Sequence, residues 1–357
     1  MVVLSNDRPK GREAAILLKY EKTDISGQIA RDIESFSYSD AAASQSDSVD
    51  ITINARAAVW KNEWMPEKGV KLYPTIVVKN WNIGGISSGY RDYSAECGAF
   101  VLDTLSFTAA PDKLKISGVA SPNDTNFGER NRTYTWKNTS VKKIAETIAK
   151  RYDLELKFDG DDHSISAKEQ DGTDSAFLQD LCETYGLIIK TYTQKLWVYD
   201  RERYKAKDAA WTVYASLPPT DQTALVVEPG SFSYSSTITG KYTGGIFTYT
   251  NKKEKINISV KVGTDERQLK ISKKVSSEAD AKAQLIAALR NKNHGTTKIS
   301  FTISGYPAAA SAQCINLVGY GKMDGKYFID SLNHDLTKSG GLKTKVNASL
   351  VEVDKFA

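Results

Sequence analysis

Thr139-Ser-Val-Lys-Lys-Ile-Ala-Glu-Thr-Ile-Ala-Lys-Arg-Tyr-Asp-Leu154 is the stretch at which the chain changes its hydrophobic period. Val141, Ile144, Ala145, Ile148, Ala149 and Tyr152 recur at helical spacing and form one apolar stripe, with Asn138, Thr139 or Ser140 available as the N-cap. An amphipathic helix is predicted. Leu154-Glu-Leu-Lys-Phe158 then alternates as a strand, and Asp174 to Tyr185 repeats the helical stripe before Gly186 supplies a stop. Leu187 to Lys190 and Leu196 to Tyr199 read as a hairpin around residues 191–195. Together these segments make a small α/β domain, assigned to 121–205. The acidic cluster Asp159-Gly-Asp-Asp-His163 inside it reads as a solvated turn between a strand and a helix.

On both sides of this insert the period is two. Ala14 to Tyr20, Ser35 to Ser39, Ser48 to Ile53, Leu72 to Val78, Ala99 to Ala109 and Leu114 to Val119 are strand candidates, with Val49, Ile51 and Ile53 on one face. Between them, Pro66 and Gly69 after Trp60 and Trp64 mark a turn. Downstream, Phe232 to Ile238, Ile246 to Thr250, Ile256 to Val262, Leu269 to Val275, Lys298 to Ser304, Ile315 to Val318, Tyr327 to Leu332 and Val346 to Val353 alternate in the same way. One helix interrupts them, from Ser277 to about Asn291, with Ser277-Glu-Ala-Asp280 as a loose capping box. The expected class is therefore mainly β with an α+β insert. Its domains are 1–120, the insert at 121–205, and 206–357 carrying the helix at 277–291.

Composition narrows the function classes. The chain of 357 residues is 40% hydrophobic and 25% charged with a mean hydropathy of −0.41, an ordinary globular balance. No apolar run reaches the roughly 18 residues that cross a bilayer. Met1-Val-Val-Leu is too short for a signal-peptide core, so synthesis in the cytosol is expected. The net charge of +5 is spread over 48 basic and 43 acidic residues without a polybasic tract, which argues against sequence-specific nucleic-acid binding. Cys97, Cys182 and Cys314 are too widely spaced for a C-x-x-C site and read as buried thiols.

Catalytic motifs do not cohere. Gly85-Ile-Ser87-Ser-Gly89 matches G-x-S-x-G, but no helix follows to build a nucleophile elbow. His163, His294 and His334 fall at loops or strand ends and read as surface or turn residues. An EF-hand loop starting at Asp159 would need Gly and Glu where Ser164 and Gln170 stand. Gly319 to Lys326 lacks P-loop spacing and reads as a hairpin around Asp324-Gly325. No catalytic, cofactor-binding or metal site is therefore assigned. Trp60, Trp64, Tyr327 and Phe328 are the candidates for interface anchors, since aromatic residues are enriched at protein contacts.

Four stretches, taken in order, are similar to the late control gene D family, the baseplate hub proteins of contractile phage tails and phage-tail-like bacteriocins. They are Ser35 to Asp40 with Ser48 to Ile53; Trp60 to Gly69; Thr139 to Leu154 with Ser175 to Leu187; and Asp324 to His334. The resemblance implies two barrel-like β domains flanking the insert. It also implies a homotrimer that joins the six-fold tail tube, or a tube-initiator protein, to a three-fold central spike among other baseplate proteins. No enzyme activity and no membrane contact are implied for this chain, and its destination would be a virion tail or an extracellular tail-like particle. The rival readings are a tail-associated cell-wall hydrolase and a carbohydrate-binding tail module. The second would use Trp60, Trp64 and Trp81 as exposed platforms.

Overall fold

The computed structural model describes residues 11–43, 46–82, 90–120, 126–218, 224–251 and 255–356. The chain is mainly β, as its alternating sequence requires. In Ser48–Asn54 the side chains of Val49, Ile51 and Ile53 are buried while Ser48, Asp50, Thr52 and Asn54 alternate on the more exposed face. That face joins Leu18, Phe36, Leu72, Ile76, Phe100 and Ile116 in one core. The strands around it run Ile33–Ala41, Ser48–Asn54, Lys113–Val119, Phe100–Thr108, Lys71–Asn82, Glu13–Tyr20 and Thr23–Asp24 across the sheet, each antiparallel to the next.

A second core, built on Val213, Phe301, Ile303, Ile315, Ile329 and Val346, lies under Ala209–Tyr214, Thr297–Ser304, Cys314–Val318, Gly325–Thr337 and Gly341–Leu350. The two β bodies are hydrogen-bonded into one sheet. The strand Gly325–Thr337 pairs with Gly341–Leu350 along one edge. Its other edge is taken by Cys314–Val318 up to Phe328 and then, past Asp330, by Ile33–Ala41. Asp330 falls where the register slips between Ile329 and Ser331, so one bulge hands the strand from the second body to the first. The sequence reading placed only residues 327–332 in this strand.

Among the described residues no sheet closes on itself. The main path runs from an open edge at Thr23–Asp24 to Leu225–Val226, beside which Val227 makes an isolated antiparallel bridge to Ile303 of Thr297–Ser304.

The insert contains the expected helices, Val141–Arg151 and Asp174–Thr184, and a three-stranded sheet of Glu155–Asp159, Lys195–Asp200 and Leu187–Tyr192. Of the three candidate caps Ser140 is the one used, accepting from Lys143 N at 3.3 Å. The insert also holds a ribbon that the sequence reading missed, Asn131–Ser140 paired with Ser164–Thr173. The acidic turn 159–163 therefore joins two strands, not a strand and a helix. The ribbon was missed because it is polar: in Asn131–Ser140 only Trp136 and Ser140 are buried.

Gly244–Asn251, Ile256–Gly263 and Gln268–Ser272 form a separate three-stranded sheet covered by the helix Glu278–Asn293. Phe247, Ala281, Leu285 and Leu289 are its core. A Cβ on Gly245 would meet Leu269 O of the neighbouring strand and Leu285 Cδ1 of the helix at 2.8 Å each, which is why this position is glycine. Ser277 caps the helix through Asp280 N at 3.1 Å.

Candidate functional site

The motif Gly85 to Gly89 lies outside the described residues. Of the histidines, His334 departs from the surface reading: it is buried, with Nδ1 3.0 Å from Thr344 Oγ1 and Nε2 3.2 Å from Ala309 O. It sits at the inward register of the shared strand, and burial lowers its pKa. His294 and Ser349 both engage Asp330, His294 through Nε2 at 2.7 Å. The carboxylate stands between the imidazole and the hydroxyl, so the serine donates to aspartate and is not activated by histidine, the contact a nucleophilic triad requires. Ser349 is fully buried.

Asp159 and Asp161 face Arg203, at 3.6 and 2.5 Å, and Asp162 accepts from Lys142 N at 2.9 Å. The acidic cluster is an ion-paired turn. Among the described residues no group of three His, Cys, Asp or Glu side chains is placed to hold a metal. No helix among them is long and apolar enough to cross a membrane.

The four aromatic candidates divide. Trp60, in the short turn Ala58–Lys61, is buried and donates from Nε1 to Asp32 Oδ2 at 2.7 Å. Tyr327 is buried in the second core, its hydroxyl donating to Met323 O at 2.7 Å. Phe328 is buried against Ile188, Tyr199, Tyr204 and Cys314. Trp64 alone is open, 40% exposed beside Met65 and edge-on to Trp60 with ring centroids 5.3 Å apart. Trp81 is buried and donates to Gly305 O at 2.5 Å, tying the first body to the second. Trp60 and Trp81 are therefore not exposed platforms. Trp60→Ala is expected to cost about 3–5 kcal/mol of stability and Trp64→Ala under about 1 kcal/mol. Urea unfolding of the two variants checks the split.

The least expected site is a buried charge cluster where three parts of the chain meet. Lys190 ends the apolar run Leu187-Ile-Ile of the insert. Its ammonium donates to the Asp40 carboxylate, to Ala41 O at 2.9 Å and to Ser311 Oγ at 3.2 Å, and lies 3.0 Å from Asp47 Oδ1. Asp40 also accepts from Ser311 N at 2.7 Å and Ser311 Oγ at 2.5 Å. Nearby, Tyr199 donates to Ala42 O at 2.6 Å. The cluster thus joins the first body, the insert and the loop before Cys314.

Asp47 is the odd member. It is fully buried, and its Oδ2 has no hydrogen-bond partner. Burial, only partly offset by Lys190, pushes its carboxyl up to about 7. Burial also opposes ionisation of Asp40, but Lys190 and Ser311 outweigh it and hold that carboxyl below its usual range. A signal was present in the sequence: Lys190 and Asp40 are charged residues at inward positions of otherwise apolar or alternating strands.

No protein-family model matches this sequence, and no curated protein matches it. Solved structures do. The tail protein from Neisseria meningitidis MC58 superposes with a TM-score of 0.68 at 11% identity, over 96% of this chain and 98% of that one. The 43 kDa tail protein of prophage MuSo2 from Shewanella oneidensis gives 0.66 at 12% identity, over 96% and 99%. The fold is that of phage tail proteins. A third structure extends this tail-protein fold to a secretion machine. The E. coli c3393 protein, described as a type VI secretion component resembling the T4 tail proteins gp27 and gp5, gives 0.55 at 10% identity, over 95% of this chain and 78% of that one. At these identities the likeness fixes the fold and carries no residue roles across. Within the tail-protein fold, the surfaces left open on this chain are strand edges, including Thr23–Asp24, Tyr90–Glu96 and Ser233–Ser236, each paired on one side only among the described residues.

Proposed function

We propose that the chain is a structural, non-enzymatic baseplate hub subunit of a contractile phage tail or tail-like particle. The observation that carries this is the agreement of fold over almost the whole length with tail proteins of nearly the same size. In this reading three copies form a ring that joins the six-fold tail tube, or its initiator, to a three-fold central spike. The likeness to a protein compared with gp27 and gp5 supports the spike partner. The two β bodies act as barrel-like units whose open edges are completed by neighbouring subunits, since unpaired backbone groups on a sheet edge favour a symmetric partner. Of the four aromatic candidates, Trp64 is the one available as an anchor to such a neighbour. Assembly starts in the bacterial cytoplasm and ends in the virion tail or the released particle.

Light scattering on the purified chain, alone and with its spike protein, tests the ring. The expected mass is three times the 39.3 kDa of one chain. A stable dimer, or a monomer that persists with the spike, overturns it. On a peptidoglycan zymogram no lytic band is expected. A band abolished by Ser87→Ala, or by changing Asp159 and Asp161, would overturn the non-enzymatic reading.

A further inference from the structure

A cleft of about 700 Å³ separates the ribbon strand Ser164–Thr173 of the insert from the sheet and helix of 244–293. That volume lies within the roughly 300–1,000 Å³ of ligand pockets. We propose that it binds an acidic saccharide, a sugar carrying a single carboxylate or phosphate group; this stands independently of the hub reading.

The floor of the cleft has one unmet demand. Gln284 is only 7% exposed; its Nε2 donates to Asp280 Oδ1 at 2.9 Å, while its Oε1 is buried without a partner. A buried amide oxygen without a donor is unfavourable, and a sugar hydroxyl entering the cleft would supply one. Asp280 cannot be that donor. Its carboxylate is already taken by Tyr185 Oη at 3.0 Å and Ser276 Oγ at 3.0 Å as well as by Gln284.

The wall supplies the charge. Lys273 is exposed on the cleft wall and makes no ion pair among the described residues; desolvation first and the nearby charge of Lys168 second lower its pKa, with Asp180 and Asp280 acting the other way. Lys168 is itself held by Asp180 at 2.8 Å. An anionic group beside Lys273 would relieve that repulsion, and Lys274 lines the same wall. Glu169 and Asp280 also line the cleft, so the balance suits one negative group and disfavours a polyanion such as a nucleic acid. The remaining lining suits a polyol: the Ser166 hydroxyl for a sugar oxygen, Thr184 Oγ1, which already donates to Asp180 O at 2.8 Å, as an acceptor for a sugar hydroxyl, and Tyr249 as a flat apolar face for the C–H side.

Calorimetric titration of the full chain tests this with two acidic probes, a glucuronate-containing disaccharide and glucose 6-phosphate. Cellobiose, inorganic phosphate and hexaglutamate serve as comparisons. Saturable binding of at least one acidic sugar is expected, about tenfold or more tighter than any comparison, and weakened about tenfold by Lys273→Met. Gln284→Leu should weaken it too; if that variant does not fold, Lys273→Glu takes its place. The proposal is overturned if neither acidic sugar saturates, if phosphate or hexaglutamate binds as tightly, or if Lys273→Met leaves the affinity unchanged. None of these outcomes depends on whether the chain forms a trimer.

Discussion

Lys190→Met is expected to lower the unfolding free energy by about 3–5 kcal/mol, because it leaves Asp40 and Asp47 buried without a counter-charge. Neutralising all three positions together, Lys190→Met with Asp40→Asn and Asp47→Asn, should recover more than half of that loss. Urea unfolding gives both values; a loss under about 1 kcal/mol would refute the account of the cluster.

The same cluster sets a pH dependence. Asp47 rises from 3.8 unfolded to about 7 folded, so between those values the native state holds a proton that the unfolded chain has released. Its contribution to stability therefore falls as pH rises through that window and levels off above about 7. Asp40 acts in the other direction and in another window: its folded pKa is depressed, so its contribution is present above 3.8 and lost as pH falls further. Asp47→Asn removes the first effect only. Its stability relative to the unaltered chain should be higher at pH 8 than at pH 5, and an equal difference at both pH values would rule out the assignment.

Leu332→Pro should unfold both β bodies together. Leu332 is fully buried and pairs with Asp40 on one side and Val346 on the other. Proline removes a ladder hydrogen bond, at about 3 kcal/mol or more, and the lost Leu packing adds about 2–5 kcal/mol. The sum is comparable to the whole stability of an ordinary domain. Limited proteolysis should then cut residues 13–119 and 297–350 at similar rates. If one body stayed protected, the shared strand would not be the element that couples them.

Much of this architecture was legible because burial imposes a period. Val141 to Tyr152 and Val49-Asp-Ile-Thr-Ile53 each bury one face, and each forms the predicted element. The ribbon Asn131–Ser140 with Ser164–Thr173 was not legible, since its polar residues leave too few apolar positions to show alternation. The strand through Asp330 was cut short in the reading because its bulge breaks the period there. Aromatic content also misled in one respect. Residue type marks Trp60, Tyr327 and Phe328 as anchors, but a large ring fills a core as well as an interface, and of the four candidates only Trp64 is exposed. The Lys190 cluster joins residues about 150 positions apart, a proximity that local patterning does not encode.

Cys97, Cys182 and Cys314 are free and buried, and burial pushes the first two thiols up to about 12 and raises the third. Reaction with disulfide reagents runs through the thiolate, so at neutral pH the folded chain gives such a reagent almost nothing to attack. Each sulfur becomes reactive only when its own surroundings open. Cys97 belongs to the first β core, Cys182 to the insert and Cys314 to the seam beside Phe328. The order in which the three are labelled under native conditions is thus a clock, without any engineered probe, for which part of the molecule breathes first and whether the seam parts before the bodies it joins.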